Sequence, residues 1–118
     1  MKVNLDSNQG LTSKRPKKLI FKGKSYTVEH WTDLYVKLLG IIKNERSDFD
    51  RVLTLKGRTR RARTYFSKDN TILKDPYLIE GTDIYAETNF SSDNMMKRIR
   101  GVINLFDLPE DDFSYELK

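Results

Sequence analysis

The chain has 118 residues and a net charge of +5, with 37% hydrophobic residues, 33% charged residues and no cysteine. This length suits one domain with its own core, and the lack of cysteine excludes a disulfide framework and a thiolate metal site. Because no apolar run approaches the roughly 20 residues that cross a bilayer and residues 1–13 lack the apolar stretch of a secretory signal, we expect a cytoplasmic protein without membrane contact.

Residues 1–16 are predicted to form a flexible N-terminal arm with a basic end. They are rich in Asn, Ser, Gln and Gly, and they lead into the basic cluster SKRPKK at 13–18. Residues 17–118 are predicted to form a single domain. It opens with a hairpin, because the apolar stretches at 19–21 and 25–28 flank a turn that contains Gly23.

A first helix is predicted from Trp31, where apolar residues begin to recur at every third or fourth position instead of every second one. Its predicted apolar face consists of Trp31, Leu34, Tyr35, Leu38, Leu39 and Ile42. Gly40 lies near the C-terminal end of this helix and weakens it by roughly 1 kcal/mol relative to alanine. A polar break at 44–48 follows, and Phe49 is expected to return to the core.

A second hairpin is predicted from residues 52–55 and 61–66, which flank Gly57. Its turn and return strand carry residues 56–63, here called the basic run, which holds five cationic side chains in eight positions. If the return strand is regular, Arg61, Arg63 and Tyr65 share its solvent-facing side, because Ala62 and Phe66 suit the buried side.

The C-terminal half alternates strand and helix signals. A break at Asp75 and Pro76 is followed by a predicted strand at 82–88, and Ser91 or Ser92 is predicted to cap a second helix that ends by Pro109. The apolar stripe of this helix is predicted to be Met95, Ile99, Val102, Ile103 and Phe106. Residues 113–117 alternate as a final strand. The predicted fold class is α+β, with order ββ-α-ββ-β-α-β and a mixed or mainly antiparallel sheet of about five to six strands.

No catalytic residue, metal site or cofactor is predicted, so we expect the protein not to be an enzyme. His30 is the only histidine and is expected to cap a helix or lie at the surface. Asp75 followed by Glu87 has the rough order of a restriction-type nuclease motif, but the required lysine is missing. Residues 110–112 lack the spaced ligands of a calcium loop, and the glycines form no phosphate-binding fingerprint.

The charge distribution instead predicts binding to a polyanion. No carboxylate occurs between Val52 and Ser67, and the five carboxylates and single lysine of residues 107–118 leave a net charge of +9 on residues 1–106. The planar guanidinium group of arginine donates paired hydrogen bonds to phosphate, and a tyrosine ring stacks on a base or sugar. The predicted nucleic-acid-binding residues are Lys56, Arg58, Arg60, Arg61, Arg63, Tyr65, Lys97, Arg98 and Arg100. We expect contact along phosphates with weak sequence preference, and with DNA favoured over RNA.

The same residues support a second interpretation, a protein-interaction module that docks an acidic protein surface or the acidic C-terminal segment of its own chain. Salt dependence and competition by nucleic acid distinguish the two interpretations.

Three segments carry a resemblance to a known type of domain. EHWTDL at 29–34 opens a helix, RTYFS lies at 63–67, and IYAETNFS at 84–91 precedes a helix. Together, over roughly Lys17 to Leu117, they resemble a small C-terminal accessory domain of bacterial restriction-like and phage-defence proteins. The resemblance implies a non-catalytic module that works beside nucleases or defence factors, and it assigns no functional residue. For the second interpretation, it implies a subunit of a defence complex or a phage-encoded inhibitor.

Overall fold

The computed structural model describes residues 2–4, 14–55 and 64–118. Within them the strands are β1 (Lys2–Asn4), β2 (Pro16–Phe21), β3 (Lys24–Thr27), β4 (Phe66–Ser67), β5 (Pro76–Leu78), β6 (Tyr85–Glu87) and β7 (Phe113–Leu117). The α-helices are α1 (Trp31–Glu45) and α2 (Ser92–Leu105), and 3₁₀ helices span Phe49–Thr54, Asn70–Ile72 and Glu110–Asp112. The predicted α+β class is confirmed.

The larger sheet is antiparallel throughout and has the strand order β1-β7-β2-β3. The predicted first hairpin is confirmed as β2 and β3. Its two-residue loop, Lys22 and Gly23, has φ angles of 51° and 80°, which match the right-handed twist of the flanking strands. The segment predicted as a flexible arm contributes β1, which pairs with β7, and Pro16, the first residue of β2.

The two α-helices carry the apolar stripes that the sequence predicts. Both pack against each other, and α1 also packs on β2. The buried residues of α1 are Leu34, Tyr35, Leu38, Leu39 and Ile42, and those of α2 are Met95, Ile99, Val102 and Ile103. Of the two serines predicted as caps of α2, Ser91 is the cap, and its hydroxyl accepts the backbone N–H of Asn94 at 3.2 Å. These local signals therefore define both helices.

The predicted strand at 52–55 is wrong, because Phe49–Thr54 form a 3₁₀ helix. Phe49 and Val52 are three residues apart, so both side chains lie on one face and are buried. The Phe49 ring stacks on Phe106, with 6.0 Å between ring centroids and 9° between planes. The predicted partner strand at 61–66 falls partly outside the described residues, and its described end contributes β4.

The smaller sheet is antiparallel with the order β4-β6-β5. The predicted strand at 82–88 is observed as the shorter β6, and the predicted final strand is observed as β7. β5 was not predicted; its three residues are exposed and begin with a proline. The element order therefore differs from the prediction at β1, at the 3₁₀ helix Phe49–Thr54 and at β5.

Substitution by alanine is expected to change the free energy of unfolding in opposite directions at two glycines. Gly23→Ala is expected to lower the free energy of unfolding by about 1 kcal/mol, because its φ of 80° strains any side chain. Gly40→Ala is expected to raise it by up to about 1 kcal/mol, because Gly40 lies inside α1 and an added Cβ meets nothing within 4 Å. Urea unfolding of both variants beside the wild type measures the two changes; equal signs would contradict the prediction.

Candidate nucleic-acid interface

The structure describes four of the nine predicted binding residues. Tyr65, Lys97, Arg98 and Arg100 lie within the described ranges. The others belong to the basic run, which lies outside the described residues: Lys56, Arg58, Arg60, Arg61 and Arg63. In the sequence, the basic run lies between Leu55 and Thr64, so its C-terminal end is two positions before Tyr65.

Tyr65, Phe90 and Arg98 form one cluster, here called the Tyr65 cluster. The Tyr65 and Phe90 rings meet edge to face, with centroids 5.8 Å apart and planes at 68°. The Arg98 guanidinium carbon lies 4.1 Å from the Tyr65 centroid and 5.7 Å from that of Phe90. Arg98 is therefore held by the aromatic rings, and one face of the half-buried Tyr65 is covered.

Tyr35 lies behind this cluster in the core. Its ring is fully buried, and its hydroxyl has no hydrogen-bond partner within the described residues. Burial raises the pKa of Tyr35, while the positive charge of Arg98 opposes that rise. The Tyr35 hydroxyl therefore keeps its proton at neutral pH, and the Arg98 charge is not neutralised from this side.

Lys97 and Arg100 differ in their availability to a ligand. Lys97 is exposed and makes no ion pair within the described residues. Arg100 Nε lies 2.9 Å from Glu110 Oε1, so α2 is bridged to the 3₁₀ helix Glu110–Asp112. The acidic C-terminal segment therefore already occupies one of the predicted binding cations.

A cleft of about 540 Å³, here called the basic cleft, opens where the N-terminal ends of α1 and α2 approach each other. Its lining residues are Lys14, Arg15, His30, Trp31, Thr32, Phe90, Ser91, Ser92 and Met95. The first turn of each helix presents backbone N–H groups, which favour anions, although Asp33 and Asp93 in those turns offset part of the effect. The cleft thus combines cationic side chains with aromatic surface.

The chain at Lys14 and Arg15 is fixed by two hydrogen bonds. Trp31 Nε1 donates to the Lys14 carbonyl at 2.8 Å, and the Lys118 backbone N–H donates to the Arg15 carbonyl at 2.9 Å. Trp31 is itself packed edge to face on Tyr115, with centroids 5.3 Å apart. The end of the predicted arm is therefore attached to the domain, and its two cations border the cleft.

The basic cleft was not predicted, because three segments that are distant in the sequence build it. The only signal was the basic cluster at 13–18, for which two interpretations were open, a nucleic-acid contact and, more commonly for so short a run, a solvated linker. Phe90 is the connection between the two sites, since it lines the cleft and belongs to the Tyr65 cluster. We call the basic cleft, the Tyr65 cluster and Lys97 together the basic surface.

Buried Glu87 supports both parts of this surface. Its Oε2 accepts the Lys74 N–H at 2.8 Å, and its Oε1 accepts the N–H groups of Asp75 at 2.8 Å and Asn89 at 3.1 Å. Its own N–H donates to the Tyr65 carbonyl at 2.9 Å. In the restriction-type motif considered above, Glu87 would be a metal ligand; here both its oxygens bind the backbone.

In residues 2–4, 14–55 and 64–118, no cluster of three or more histidine, aspartate or glutamate side chains is arranged to hold a metal ion. No helix in the described part of the chain has the length and apolar character needed to cross a bilayer.

Comparison with protein-family models, with curated protein sequences and with solved structures found no match for this chain.

Proposed function

We propose that this protein is a non-catalytic nucleic-acid-binding module that contacts phosphates through the basic surface and the basic run. The observation that carries the proposal is the position of Phe90, which joins the cationic cleft to the Tyr65 cluster. The basic run ends two positions before Tyr65 in the sequence. Cations interleaved with aromatic rings suit a nucleic-acid backbone, because the charges bind phosphates while rings stack on bases.

The resemblance to an accessory domain supports a setting for this activity, a bacterial or phage defence or restriction system. Such a module would hold DNA, in preference to RNA, while another protein performs the chemistry. Because phosphate contacts carry no sequence information, we expect weak sequence preference and strong salt dependence.

Arg15→Glu tests the described part of the interface. We expect it to weaken oligonucleotide binding by roughly tenfold, because it replaces a cleft cation with a charge that repels phosphate. The measurement is fluorescence anisotropy with labelled single-stranded and double-stranded oligonucleotides at about 50 and 200 mM salt.

Lys24→Glu is the matched control for Arg15→Glu. It changes the net charge equally but lies beyond the far end of β2, a six-residue strand of about 20 Å. We expect an affinity change of less than about twofold. Equal losses in both variants would indicate attraction to the net charge and would contradict a localised site at the cleft.

One observation favours the second candidate, a module that docks an acidic protein. The ion pair between Arg100 and Glu110 shows a protein carboxylate bound to one predicted binding cation. In this alternative, the arginines of the basic run bind carboxylates in the same manner. The oligonucleotides then fail to bind even at low salt, and an acidic peptide binds in their place.

A further inference from the structure

A second groove, of about 380 Å³, runs along the exposed side of α1 and is separate from the basic surface. We propose that this groove docks a basic, partly apolar peptide segment of a partner protein. The inference does not rest on the proposed function, because the groove and the basic cleft share no lining residue.

The floor of the groove is apolar and open. Val36 and Ile41 on α1 are half-buried there, and Tyr77 from β5 leaves 48% of its surface exposed at the opposite wall. Gly40 lies between the two α1 side chains, and a Cβ built on it meets nothing within 4 Å. An apolar side chain of a partner therefore finds both a recess and a ring to contact.

The rim of the groove is acidic, although the whole chain is basic. Glu29, Asp33 and Glu80 line it against one cation, Lys37. The Lys37 ammonium lies 5.4 Å from the Tyr26 ring centroid, and the carboxylates of Glu29 and Glu80 form neither an ion pair nor a hydrogen bond within the described residues. Two carboxylates are thus available to lysine or arginine side chains of a ligand.

Charge and length together select a peptide as the occupant. Phosphates are repelled by the three carboxylates, so nucleic acid avoids this face. The α1 residues of the groove extend from Asp33 to Asn44, which is about 16 Å at 1.5 Å per residue and matches roughly five extended residues. A short segment with an apolar anchor between cations satisfies this geometry.

The test uses fluorescein-labelled peptides of about twelve residues, in which leucine and tyrosine anchors are spaced between lysine and arginine. Matched peptides carry glutamate in place of each cation. We expect only the cationic peptides to bind in the groove, because its carboxylates attract them; the glutamate peptides are repelled there, and any binding of theirs falls on the basic surface. Amide shifts in ¹⁵N spectra should fall on Val36, Gly40 and Tyr77.

Gly40→Leu and Gly101→Leu form a matched pair of variants. Both glycines lie in α-helices, and an added Cβ meets nothing within 4 Å at either one. Gly40→Leu fills the groove and should weaken peptide binding by roughly tenfold, while Gly101→Leu leaves it within about twofold. Charge reversal by Glu29→Lys with Glu80→Lys should abolish binding.

Three results would overturn the inference. The first is binding of the glutamate peptides that shifts the amide signals of Val36, Gly40 and Tyr77 as the cationic peptides do. The second is unchanged affinity of Gly40→Leu for the cationic peptides. The third is a wild-type dimer that Gly40→Leu converts to a monomer, which would assign the groove to a second copy of the chain. Oligonucleotide binding by Gly40→Leu should equal that of the wild type. Failure of the peptide test therefore leaves the nucleic-acid proposal untouched, and the reverse also holds.

Discussion

The Arg60→Glu, Arg61→Glu, Arg63→Glu variant is expected to bind oligonucleotides roughly a hundredfold or more weakly than the wild type at about 50 mM salt. Each substitution removes a candidate phosphate contact and adds a repelling charge. Loss of three contacts should also reduce the slope of log affinity against log salt by about three. Fluorescence anisotropy with single-stranded and double-stranded probes at several salt concentrations measures both quantities.

The control for this variant is the triple substitution Lys24→Glu, Lys68→Glu and Lys74→Glu. It changes the net charge by the same amount on exposed side chains outside the basic surface. Among the described residues, Lys68 makes only an exposed ion pair with Asp83 at 3.4 Å, so little stability is lost. The control should retain most of the affinity; equal losses would mean that net charge, and not the basic run, drives binding.

A wild-type protein that fails to bind at low salt would leave the acidic-protein alternative. Unfolding curves of both triple variants must match that of the wild type for the comparison to count. If the arginine variant folds and still binds at full affinity, the basic run has no role, and binding belongs to the cleft residues Lys14 and Arg15. The Arg15→Glu variant then decides whether the cleft carries the activity.

The helices and the first hairpin were predictable because their signals are local. A stripe at spacings of three and four marks α1 and α2, Ser91 marks the start of α2, and Gly23 marks a turn that needs positive φ. Each of these signals acts within a few residues. No distant part of the chain overrides them, so sequence and structure agree there.

The errors in the fold come from contacts that local patterns do not encode. Residues 52–55 resemble a strand in composition, but burial of Val52 and stacking of Phe49 on Phe106 favour a 3₁₀ helix. β5 is a strand because it pairs with β6, although its own residues are exposed and begin with Pro76. In both segments tertiary contacts override propensity.

The candidate site shows the same division. Tyr65 and Arg98 were each predicted as binding residues. Their contact, 4.1 Å between the Arg98 guanidinium carbon and the Tyr65 ring centroid, depends on how α2 lies beside the start of β4. The basic cleft needs the start of β2 and the N-terminal ends of both helices to come together. Single residues were therefore predictable from charge and ring chemistry, whereas their assembly was not.

Glu87 illustrates how an unremarkable strand position acquires a structural role. Strand alternation puts Glu87 and Ala86 on opposite faces of β6, yet both side chains are buried, and Glu87 is only 2% exposed. Its carboxylate is bound by backbone N–H groups from the Lys74 and Asp75 segment and from Asn89. It therefore ties β6 to the loop that carries Phe90 into the basic cleft.

Glu87→Gln is accordingly expected to lower the free energy of unfolding by about 2–3 kcal/mol, a fall in Tm of roughly 10 °C. Both carboxylate oxygens act as acceptors, so the amide NH₂ of glutamine must face a backbone N–H donor on one side. A buried donor is left unpaired, and a charge-assisted hydrogen bond is lost. Calorimetry and urea unfolding measure the change.

Glu45→Gln is the matched control, because it removes the same charge from an exposed ion pair with Lys22 at 2.8 Å. It should cost less than about 1 kcal/mol. Since Glu87 also anchors the Tyr65 carbonyl through its own N–H, loosening of its loop should reduce oligonucleotide affinity in Glu87→Gln at temperatures where the variant remains folded. Equal stabilities of the two glutamine variants would contradict a structural role for the Glu87 carboxylate. A destabilised Glu87→Gln with unchanged affinity would separate that role from the binding surface.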